Sequence, residues 1–223
     1  MIKAIFIKEW LKTRLAACLI FVAAVGVVIY LLLALRSTMA TSGAVETIAT
    51  MIGRDMIFVN LMQFLPMLSA ICLAVVQWLP EMQLKRIKLT LHLPVPYTQS
   101  IGLMLLYGVA VLAVVSVADL ALLWAVESLW LPAELIRHTL LTMLTWHIAG
   151  LMAYLLVSWI ILEPVWRMRV AEMAVAVPLL ALFFLTPQPE VYNRFLPLLG
   201  LLTVLCGLLP FYSIYRFKTG KGL

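Results

Sequence analysis

One uncharged run, LAACLIFVAAVGVVIYLLLAL from Leu15 to Leu35, limits this chain more than any other feature. Wound as an α-helix, about 20 apolar residues cross the ~30 Å hydrocarbon core of a bilayer. This run is apolar on every side, so it has no face to offer water. It is also longer than the ~7–15 apolar residues of a cleavable signal peptide, and is expected to remain as a first span. Five further runs of the same character follow at 56–79, 101–126, 139–162, 170–185 and 195–215. The reading is an all-α polytopic membrane protein with six transmembrane helices. Little of the 223 residues is left for a separate soluble catalytic domain. Composition agrees: 65% of residues are hydrophobic and 12% charged, against ~25% charged in soluble domains.

The charges lie at the ends of these runs, and their distribution sets an orientation. Residues 1–14, the 80–100 segment, the 163–169 turn and the tail from Arg216 carry twelve Lys and Arg, and the alternate connections carry four. Positive residues concentrate on the cytoplasmic side, so both termini are expected inside, in a bacterial cytoplasmic membrane. The basic residues are dispersed over span ends, a pattern of membrane orientation and not of nucleic-acid binding. Residues 1–14 wind into an amphipathic helix with Phe6, Ile7, Trp10 and Leu11 on one side and Lys8, Glu9 and Lys12 on the other, interrupted by Lys3 and Arg14. It is expected to lie in the headgroup plane.

The segment PEMQLKRIKLTLHLPVPYTQS, Pro80 to Ser100, reads as a charged cytoplasmic knuckle between spans two and three. Pro80 suits a helix start, and Glu81 with Lys85 forms a favourable i,i+4 pair. Leu84, Ile87 and Leu91 fall on another side, and Pro94 and Pro96 end the helix.

Catalytic signatures are absent from the sequence: it has no HExxH, no GxSG elbow and no paired acidic run. The TGKGL tail lacks the Ser or Thr and the first glycine of a phosphate-binding loop. Cys18, Cys72 and Cys206 lie in apolar runs without metal-ligand spacing, and read as packing residues. Polar groups within spans are costly, which makes them functional candidates. Asp119 and His147 lie eight to nine residues from the external ends of spans three and four, ~12–13 Å deep at ~1.5 Å per residue. They can therefore meet, and Asn60 and Gln63 in the external third of span two can join them. Such a cluster would line a substrate path, relay a proton or hold helices together.

The order of elements, and the stretch PEMQLKRIKLTLHLPVPYTQSIG with its Leu-Pro-Val-Pro end, resemble the permease subunit of type V ABC exporters, the ABC-type-2 family. The resemblance implies a homodimer or heterodimer of permeases bound to separate ABC ATP-binding subunits, with ATP and Mg2+ held there and no cofactor on this chain. It also makes residues 80–99 a coupling segment, with Glu81, Met82, Leu84, Lys85, Arg86, Ile87 and Lys88 facing the ATPase. Residues 1–14 become the membrane-surface helix. The nine residues between spans five and six are too few for the family's re-entrant helices. Other readings of a chain this size are a haem-export permease of cytochrome maturation, a substrate-binding subunit of an energy-coupling-factor transporter, and a membrane enzyme acting on lipids.

Overall fold

A computed structural model describes residues 2–54, 58–83, 87, 96–186, 188 and 190–219, and among these there are helices and turns but no strand. The helices are α1 (Ile2–Ser42), α2 (Ala44–Arg54), α3 (Leu65–Gln83), α4 (Tyr97–Glu127), α5 (Ala133–Leu162), α6 (Trp166–Ala181), α7 (Leu196–Cys206) and α8 (Leu209–Lys218). Two 3-10 turns, Asn60–Met62 and Leu182–Phe184, precede α3 and follow α6.

Five segments are long and apolar enough to cross a membrane: α1, Asn60–Gln83, α4, α5, and Leu196–Lys218, which contains α7 and α8. The chain is thus a multi-pass membrane protein. The sixth expected span, 170–185, is the 16-residue α6 with its 3-10 turn. At ~1.5 Å per residue α6 is ~24 Å long and the 3-10 turn at ~2 Å per residue adds ~6 Å, so the two together only match the ~30 Å core, with no residue to spare. Pro178 withdraws a backbone donor near its end, and the helix tightens into the 3-10 turn from Leu182. The last span is broken at Gly207 and Leu208, because Pro210 has no N–H to give the carbonyl of Cys206.

The first 14 residues do not form a helix of their own. They are the start of α1, which runs unbroken for 41 residues, ~60 Å or about twice the bilayer core. Nothing between Lys12 and Ala16 stops a helix, and buried Glu9 and Thr13 hold this part against its neighbours. Thr13 and Tyr107 of α4 share a 2.7 Å hydrogen bond, and Phe6 meets the Tyr107 ring edge-on at 5.7 Å. At its far end α1 continues through much of the expected external loop. It stops where Gly43 takes φ +87°, and α2 folds back beneath Leu35, Leu131 and Ile136 through Met51.

The most buried of these spans is α5, which packs against α3, α4, α6, α7 and α8. Small residues permit this closeness. A Cβ at Gly150 would lie 2.8 Å from the Pro66 carbonyl oxygen of α3, and one at Gly108 of α4 would overlap the Tyr154 ring. Tyr154 donates to Gln77 Oε1 at 2.8 Å, and Gln77 Nε2 donates to the Met104 carbonyl at 2.8 Å. This chain of bonds ties α5, α3 and α4 together in hydrocarbon, where an unpaired amide would be costly. Cys206 is buried, whereas Cys18 and Cys72 are exposed on the bundle surface and so do not pack its core.

Candidate functional site

Asp119, eight residues before the end of α4, and His147, midway along α5, are both buried, with Asp119 Oδ2 4.0 Å from His147 Nε2. Their equal depth on adjacent helices brings them together. Ser116, one turn before Asp119, lies 3.1 Å from His147 Nδ1, and its hydroxyl donates to the Leu112 carbonyl at 2.9 Å. The hydroxyl has one proton, so with that proton on Leu112 the bond to His147 requires Nδ1–H as donor. The Nε2 lone pair then faces the carboxylate, and the two repel unless a proton lies between them. A proton on either group would relieve that repulsion. A cavity of about 10 Å³, lined by Ser69, Ser116, Asp119, His147, Pro66 and Gly150, opens beside it. That is room for about one water.

Asn60 and Gln63 do not join this cluster. Asn60 is exposed in the 3-10 turn, Gln63 caps that turn, and neither lines the cavity. The reason is Pro66. It has no N–H for the Met62 carbonyl but fits the first turn of a helix, so α3 begins at Leu65 and not at the expected residue 56.

The coupling segment also differs from expectation. Pro80 does not open a helix; α3 runs through it to Gln83. Glu81 is only 1% exposed, and its Oε1 lies 2.9 Å from both Lys8 and Lys12 of α1. Lys12 also donates to Glu9 Oε1 at 2.9 Å. Glu81 thus binds α1, and no carboxylate is left facing outward at that position. Met82 is half-buried against the core and Ile87 is 1% exposed within it. Leu84, Lys85, Arg86 and Lys88 lie outside the described residues.

A second ionic group, unforeseen in the sequence, closes the same end of the bundle. Glu163, at the end of α5 and fully buried, accepts from Ser213 at 3.0 Å and pairs with Arg216 at 3.1 Å, both on α8. Ser213 also approaches Glu172 of α6 at 3.5 Å, and Arg169 Nε donates to the Glu163 carbonyl at 2.6 Å. One signal pointed there: Glu163, Arg167 and Arg169 cluster around Pro164 between two apolar runs. At the opposite end of α4, Glu127 is fully buried with neither carboxylate oxygen hydrogen-bonded. Among the described residues no group of three His, Cys, Asp or Glu is placed to hold a metal ion. Comparison with protein-family models, curated proteins and solved structures finds no match to this chain.

Proposed function

We propose that this chain is the membrane permease subunit of an ATP-driven exporter, working as a homodimer or heterodimer with a separate ATP-binding subunit. The resemblance of the 80–99 segment and the order of spans support this reading. The structural observation that carries it furthest is the clasp of Glu81 to Lys8 and Lys12. It ties the foot of α3, where the coupling segment begins, to a helix of 41 residues. A push delivered to residues 84–95 by a nucleotide-driven partner would pass through Glu81 into α1 and along its length.

In this reading the basic foot faces the cytoplasm of a bacterial inner membrane, and catalysis of ATP hydrolysis resides in the partner. The Asp119–His147 pair is part of the moving interior. Its cavity has the volume of about one water, too small for a substrate path in this conformation, so it acts as a loosely held polar contact between α4 and α5.

The test is co-purification in mild detergent with an ABC-type ATP-binding subunit co-expressed from the same source. The wild type is expected to retain it. Lys85→Glu with Arg86→Glu is expected to release it with the thermal unfolding of the permease unchanged. Retention by that double variant, or transport with no such subunit present, would contradict the proposal.

A further inference from the structure

The cations of α1 divide into two sets. At ~100° per residue, Lys8 and Lys12 share the side that meets Glu9 and Glu81, while Lys3 and Arg14 lie on the opposite side with Phe6, Trp10, Cys18 and Phe21. Lys3 and Arg14 are exposed, and among the described residues neither has an anionic partner. The carboxylates of this region are already engaged by Lys8 and Lys12. One face of α1 is electrically closed and the other is open.

The open face borders an apolar groove of about 440 Å³ between α1 and α4, lined by Phe6, Trp10, Cys18, Phe21, Val111 and Val114 among others. Ala17 and Ala110 lie along it, and their small side chains keep it open. Arg14 does not itself line the groove; it stands exposed in the same i,i+4 row as Phe6, Trp10, Cys18 and Val22, which do. From Arg14 to Val22 is ~12 Å along the helix, close to the ~15 Å hydrocarbon depth of one leaflet. Trp10 lies one turn nearer the water, where an indole suits the headgroup belt.

Two occupants fit an apolar groove in a bilayer: a lipid chain or a second copy of the protein. A two-fold contact centred on this groove would bring each Arg14 toward its mate, a like-charge pair in low dielectric. An anionic lipid instead offers the charge that Arg14 lacks and the hydrocarbon that the groove requires. We propose that this groove binds one anionic phospholipid, its phosphate on Arg14 and an acyl chain running past Cys18, Val22 and Val114 toward the membrane centre.

Native mass spectrometry of the full chain, exchanged into equal phosphatidylglycerol and phosphatidylcholine of the same chain length, tests this. One phosphatidylglycerol is expected to stay bound in preference. Arg14→Gln should lower its retention about five-fold and remove the headgroup preference. Ala110→Phe should lower retention of both lipids, and Arg167→Gln, an exposed cation on α6, should change neither. Thermal unfolding of each variant reports on its folding, and Arg14→Gln, a change at an exposed residue, carries the test should Ala110→Phe misfold. Equal retention of the two lipids by the wild type, or an unaltered preference in Arg14→Gln, would overturn the proposal. Oxidative cross-linking of Cys18 to Cys18 in native membranes would do the same, assigning the groove to a second copy.

Discussion

The polar groups of this bundle are of two kinds, and the difference separates what holds the molecule from what is free to change. At the foot, Glu9 and Glu81 meet Lys8 and Lys12, and Glu163 meets Arg216 and Ser213, at 2.8–3.1 Å for most of these contacts. Midway along the bundle, Asp119 and His147 stand 4.0 Å apart, and neither Asp119 oxygen has a hydrogen-bond partner. Close, charge-assisted contacts fix geometry. The looser pair fixes less.

Breaking the foot should therefore cost the most. Glu163→Ala leaves the largely buried Arg216 without its carboxylate and Ser213 with only the longer 3.5 Å approach to Glu172. Loss of one member of such a pair costs ~3 kcal/mol or more, read as a lower unfolding midpoint in detergent. A shift no larger than that of a surface substitution would mean that this end is not held ionically.

The clasp on α1 sharpens the contrast by exposure. Lys12 is 12% exposed and Lys8 44% exposed, although both reach Glu81 at 2.9 Å. Lys12→Met should destabilise by ~1–2 kcal/mol, and this loss should persist at high salt. Lys8→Met should cost less than ~1 kcal/mol, with the difference from wild type vanishing as salt screens it. Equal losses with equal salt dependence would place the two lysines in the same environment.

The smallest effect on folding is expected at the centre. Asp119→Asn removes no hydrogen bond present in the structure, and polar pairs between membrane helices contribute ~0.6 kcal/mol on average. Thermal unfolding should shift by less than ~1 kcal/mol, while ATP-driven transport by the proposed complex should fall. Full transport with unchanged unfolding would leave the pair without a role.

What the sequence disclosed follows the reach of each interaction. Hydropathy located the helices that became α4 and α5, expected at 101–126 and 139–162 and found at Tyr97–Glu127 and Ala133–Leu162, because burial in hydrocarbon is dictated residue by residue. The meeting of Asp119 with His147 was accessible by depth alone, since both lie on uninterrupted helices. The placement of Asn60 and Gln63 failed at Pro66, a local signal that outweighed the apolar run on either side of it. No local signal existed for Glu81. Lys85 offers the usual i,i+4 partner in the sequence, yet the carboxylate is bound to Lys12, 69 positions away. Residues 1–14 carried the pattern of a surface helix, but that pattern also fits a helix clasped on one side and open to lipid on the other.

The functional reading requires the foot to face the cytoplasm, and one labelling experiment addresses that requirement. Gln83 is exposed at the end of α3, next to the Glu81 clasp. In a chain with Cys18, Cys72 and Cys206 replaced by Ala, Gln83→Cys should resist a membrane-impermeant maleimide in intact cells and react once the membrane is opened. Labelling from outside in intact cells would place the foot away from any cytoplasmic ATPase and contradict the account.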